Sequence, residues 1–153
     1  MKARRLPALV LGLAAACGAL PVWAASDSCY DKAQTQADLN ACSAENLKRS
    51  DAELNQLYRQ ILVRLSGDQP AQAALTKAQR AWMDFRDQEC RFVTLRTAGG
   101  SIHPMMLNEC RARIARNRVS DLRDDLACAT SATDDQMAAE CAVPVNPKEG
   151  ATQ

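Results

Sequence analysis

The sequence has one histidine, His103, and six aromatic residues among 153. No CxxC pair occurs, and a zinc site needs four close ligands, so no metal site is expected. Nothing alternates apolar with polar at period two, so strands are not expected and the fold class is all-α. The charge is nearly balanced, with 19 basic and 18 acidic residues, which is not the balance of a nucleic-acid binder. The longest uncharged apolar run, Leu6 to Ala19, is too short to cross a bilayer as a helix, so no membrane span is expected.

That run fits an export signal instead. Lys2, Arg4 and Arg5 precede it, and Val22-Trp23-Ala24 supplies a small-residue cleavage site. Residues 1–25 are expected to be a signal peptide cleaved near Ala24 or Ala25, giving a periplasmic or secreted protein. Leu13-Ala14-Ala15-Ala16 before Cys17 weakly resembles a lipoprotein box, so a lipid anchor at Cys17 is the alternative. In either case Cys29, Cys42, Cys90, Cys110, Cys128 and Cys141 remain. An even number in an oxidising compartment predicts three disulfides. Taking Lys2, Arg4 and Arg5 from the 19 bases leaves 16 against 18 acids.

Three main helices are expected, with a short N-terminal helix around Cys29. The first carries Leu54, Leu57, Tyr58, Ile61, Leu62 and Leu65 on one stripe of helical period. Ser50 to Glu53 has the form of a capping box, although nothing breaks a helix from about residue 38 onward. Gly67 is placed to end this helix, and Asp68 with Pro70 to start an antiparallel neighbour. The neighbour holds residues 75–90, LTKAQRAWMDFRDQEC, expected as the central helix of the bundle. Its stripe is Ala71, Leu75, Ala78, Trp82, Phe85, Glu89 and Phe92. Gly99-Gly100 stops it, and Ser101 to Pro104 restart the chain as a third helix with Pro104 in its first turn. Cys90 and Cys110 lie equally far from Gly100, so an antiparallel pair would bring them face to face. Cys29 with Cys42 and Cys128 with Cys141 are short local loops, although spacing alone does not fix connectivity. The helical domain is expected over residues 26–128 and an acidic, partly disordered tail over 129–153, since residues 121–153 hold seven acids and two bases.

Catalysis needs convergent groups, and few are present. A triad would have to use His103 with Ser101, a commonplace spacing. Asp84 and Asp87 are interleaved with Arg80, Arg86 and Arg91, as on a wet, ion-paired helix face. Arg111, Arg113, Arg116 and Arg118 read as a solvated stripe. No enzyme activity and no cofactor are expected. Trp82 and Tyr58 sit in apolar stripes and read as core, with Asn55, Gln79 or Arg86 available to the Tyr58 hydroxyl. The first choice for a binding surface is the loop Gly99, Gly100, Ser101, Ile102 and His103, held at its base by the expected Cys90 to Cys110 bridge.

The blocks QADLNAC (36–42), DAELNQLYRQIL (51–62), LTKAQRAWMDFRDQEC (75–90) and GGSIHPMMLNEC (99–110), in that order, resemble the LprI-like lysozyme-inhibitor family. Asn55, Tyr58, Gln79, Trp82 and Arg86 stand within them as signature residues of a structural kind. The resemblance implies a helical, disulfide-linked envelope domain and, for the family's named member, inhibition of lysozyme. The partner it implies is a lysozyme or another muramidase. A structural or stress-related envelope protein without inhibitory activity is the alternative. No residue is carried over as inhibitory.

Overall fold

A computed structural model describes residues 29–144. The expected export signal, Cys17 and the last part of the acidic tail lie outside them. Among the described residues there is no strand. Helix α1 spans Gln36–Arg64, α2 Gln69–Val93, α3 His103–Ser131 and the short α4 Asp135–Ala139, with a 3-10 turn over Leu95–Thr97. Cys29 and Tyr30 are also helical.

The helix ends follow their cap chemistry. Thr35 Oγ1 accepts from Asp38 N at 3.2 Å, and Asp38 Oδ2 accepts from Thr35 N at 2.9 Å. This reciprocal box starts α1 well before Ser50. Ser50 is therefore interior, and its hydroxyl donates to Asn46 O at 3.1 Å. Gly67 ends α1 at φ +102, a conformation only glycine adopts without strain. Asp68 caps α2 by accepting from Ala71 N at 3.0 Å, with Pro70 in the first turn.

The bundle runs up, down, up. Contacts from Asp51 to Arg86, Tyr58 to Thr76 and Leu62 to Gln72 set α1 and α2 antiparallel, as the short connection predicts. α1 and α3 are parallel, joined from Asn108 to Ser43 and Glu109 to Asn46 at one end, and from Arg64 to Leu126 O at the other. Their backbones make the most extensive approach in the molecule. Ser43, Ser50, Ala112 and Ala115 are all buried, and such short side chains let two helix axes come close. The expectation that α2 is central is thereby corrected: α1 and α3 form the spine, and α2 packs on it through longer side chains.

The main core gathers Leu54, Ile61, Leu65, Ala115, Val119, Leu122 and Val143. Fully burying one Leu or Ile is worth about 2 kcal/mol. Trp82, partly buried, packs against both this core and a second cluster of Cys90, Cys110 and Ile114. The α2 stripe is only partly as expected. Ala71, Leu75 and Trp82 face inward, but Ala78 is exposed, Phe85 is 56% exposed and Phe92 73%, while Gln79, Arg86 and Cys90 are buried.

The disulfides pair Cys29 with Cys42, Cys90 with Cys110 and Cys128 with Cys141, at Cα separations of 5.7, 5.6 and 5.8 Å. The last of these folds the chain beyond α3 back onto the bundle. α3 runs on to Ser131, past the expected domain end, and Val143 is only 3% exposed in the main core. Up to residue 144 this stretch is thus part of the packed domain.

Candidate functional site

Two groups of side chains stand out, one at the α2–α3 loop and one between α1 and α2. The loop is held from inside. Thr94 is buried and its hydroxyl donates to Cys90 O at 2.6 Å, while Thr97 Oγ1 donates to Thr94 O at 2.8 Å. Gly99 turns the chain at φ +81, and Gly100 N then donates to Thr97 O at 3.0 Å. His103 Nδ1 lies 3.0 Å from Thr97 Oγ1. Thr97 Oγ1 therefore lies within hydrogen-bond distance of both Thr94 O and His103 Nδ1. Asn40 Nδ2 donates to Ser101 O at 3.0 Å and ties the loop to α1. With the Cys90–Cys110 bridge at its base, the loop is fixed on three sides.

Its outer surface is apolar. Leu95, Ile102 and Met106 are all exposed, beside an exposed Arg96. Gly99, Gly100 and Ser101 are exposed too, whereas His103 is half-buried and turned to Thr97 rather than to Ser101. His103 is thus held against the Thr97 side chain. Leu95, Arg96 and Met106 lie outside the loop as read from sequence, Leu95 and Arg96 in the 3-10 turn and Met106 in the first turn of α3. Apolar side chains in a segment bounded by helix stops were the signal that could have found them.

A groove of about 360 Å³ adjoins this end, lined by Val93, Met106, Glu109, Arg113 and Arg116 among others. Glu109 is occupied: the Tyr30 hydroxyl donates to it, and Asn46 Nδ2 lies 3.2 Å from both its carboxylate oxygens. Burial, then the hydrogen bond to Glu109 and its charge, push the Tyr30 hydroxyl up to about 12. Arg113 and Arg116 stay exposed. Their expected stripe is divided, because Arg111 turns to Asp87 at 3.2 Å and Arg118 to Asp121 at 3.8 Å.

The second group assembles the signature residues. Asn55, Gln79, Trp82 and Arg86 line a small cleft of about 60 Å³ together with Asp51 and Met83. Arg86 Nη1 donates to Asp51 Oδ1 at 2.7 Å, and its guanidinium lies 5.2 Å from the centre of the Trp82 ring. Asp87 Oδ1 is 3.4 Å from Arg86 Nε and 3.2 Å from Arg111 Nε. The wet, ion-paired face expected around Asp87 and Arg86 is corrected: Arg86 is buried because two carboxylates and an indole face meet it. Tyr58 lies apart from this cleft, its hydroxyl 3.2 Å from Thr76 Oγ1 rather than on Asn55, Gln79 or Arg86. Two guanidiniums, Arg86 and Arg111, against two carboxylates, Asp51 and Asp87, leave the cluster neutral. It holds the helices together.

Among the described residues no three His, Cys, Asp or Glu side chains are grouped to hold a metal. No helix there is long and apolar enough to cross a membrane. The family model described as lysozyme inhibitor LprI matches residues 27–122. The chain belongs to the LprI lysozyme-inhibitor family. The LprI match takes in α1, α2, the loop and most of α3, so both groups of side chains fall within it. An uncharacterized protein of Rhizobium meliloti (strain 1021) is 36% identical over 104 residues, covering 61% of this chain and 75% of that protein. No solved structure matches. An LprI domain with three disulfides agrees with an exported protein.

Proposed function

We propose that this protein is an exported, non-enzymatic inhibitor that binds lysozyme-type muramidases through its α2–α3 loop. Family membership supports the class of activity, and the pinned apolar loop is the observation that supports the surface. A loop already held by a disulfide, Thr97 and Asn40 loses little entropy on binding, so its exposed Leu95, Ile102 and Met106 can contribute to affinity. A glycoside hydrolase of this kind works with a pair of carboxylates beside the scissile bond. Arg96, next to Leu95 in the chain and exposed, is a cation that could meet such an acidic cleft. His103 holds the loop's shape from behind. Signal cleavage near Ala24 or Ala25, with release into the periplasm or medium, belongs to the same proposal.

The test is residual lysozyme activity measured against increasing purified, disulfide-intact protein. The proposal expects saturable loss of activity, weakened at least tenfold by Ile102→Asp with unchanged helical content, an effect on the order of a central interface residue. Full lysozyme activity at micromolar excess of the wild-type protein would refute the inhibitory role and leave an envelope interaction protein as the alternative.

A further inference from the structure

The outward face of α2 carries a pattern that the core does not use. Ala81, Phe85, Gln88 and Phe92 follow one another at steps of four, three and four residues, and all are exposed; Ala74 and Ala78 continue the spacing at the lip of the groove that Ile61, Leu65 and Val143 line. That is the spacing of a two-helix seam. Phe85 and Phe92, 56% and 73% exposed, are large apolar groups left in water on one helix.

We propose that this face is the contact between two copies of this chain, α2 against α2, antiparallel about a twofold axis. Fit and charge select this occupant. In one antiparallel register Phe92 of one copy lies over Ala81 of the other and Phe85 over Gln88, and the twofold repeats both layers. Each phenylalanine thereby meets a smaller or flexible side chain. The same register places Asp84, which flanks the seam, opposite Arg91 of the second copy, and this pair also occurs twice. Asp84 and Arg91 are both exposed.

The competing arrangements fail on charge. Sliding the antiparallel pair by one heptad sets Lys77 against Arg91 and Asp84 against Asp84. A parallel pair sets Asp84 beside Glu89. Like charges at such flanking positions select against a register, so one arrangement is left. This proposal does not rest on muramidase binding, and its readout involves no lysozyme.

The test is the mass of the full disulfide-intact protein by light scattering and analytical ultracentrifugation across a concentration series. Wild type is expected to approach twice the monomer mass at the upper end. Phe85→Ser with Phe92→Ser, both at exposed positions, is expected to give a monomer with unchanged circular dichroism. Asp84→Arg alone is expected to weaken association on the order of tenfold, and adding Arg91→Asp to restore it. A wild type that stays monomeric throughout, a serine variant that still dimerises, or a double reversal that fails to recover would each overturn the proposal.

Discussion

At the scale of single residues, Arg86 shows how a charged side chain becomes a core residue. It is buried beneath Trp82 with Asp51 at 2.7 Å, and Asp87 on its other side is shared with Arg111. Removing the guanidinium leaves carboxylates facing a partly buried site, so Arg86→Ala is expected to lower stability by about 3 kcal/mol in urea unfolding. Arg86→Lys is expected to recover little, because an ammonium cannot reach both carboxylates and stack on the indole. Tyr30 gives a pH signature. Its hydroxyl titrates near 10.0 when unfolded and about 12 when folded, so the folded state retains the proton longer. That contribution is complete below pH 10 and is lost as pH rises towards 12. Alkaline unfolding followed by tyrosinate absorbance is expected to lose this component in Tyr30→Phe. Neither feature was legible in sequence. Phe85 and Phe92 outweigh Arg86 in any apolar stripe, and Asp51 and Glu109, the partners that decide burial, lie far along the chain.

At the scale of elements, local chemistry was largely legible and pairing was not. Gly67, Asp68-Pro70 and Gly99 mark their turns because positive φ and unsatisfied amides leave few residue choices. The Cys90–Cys110 bridge follows from the antiparallel turn between α2 and α3. The parallel α1–α3 spine has no such trace, since the two helices are not consecutive and their contact depends on small residues that also suit a surface. Replacing Cys90 and Cys110 together by alanine is expected to cost about 3 kcal/mol. Amide exchange is expected to rise first over residues 94–103, where the hydrogen bonds of Thr94 and Thr97 depend on the closed base. Unchanged exchange there would mean that Asn40 and the threonines hold the loop without the disulfide.

At the scale of the whole molecule, the spine of α1 and α3, α2 clipped to it by Arg86 and three disulfides together present one rigid apolar loop at one end. In sequence the glycines and the flanking cysteines point to the loop Gly99 to His103 as a whole. In the folded chain His103 faces Thr97, and Leu95, Arg96, Ile102 and Met106 hold the surface. If the proposed surface is the contact, its exposed charge bears on encounter as well as on fit. Arg96→Glu is accordingly expected to slow association with a muramidase on the order of tenfold and to reduce its salt dependence, measurable by surface plasmon resonance at two ionic strengths. The most direct measurement is lysozyme activity titrated side by side with wild-type protein and with Ile102→Asp. Saturable inhibition is expected from the wild type, and from the variant a dose curve displaced at least tenfold at equal helicity. Superimposable inhibition curves would contradict the assignment of the loop, and the absence of inhibition by either protein would contradict the account as a whole.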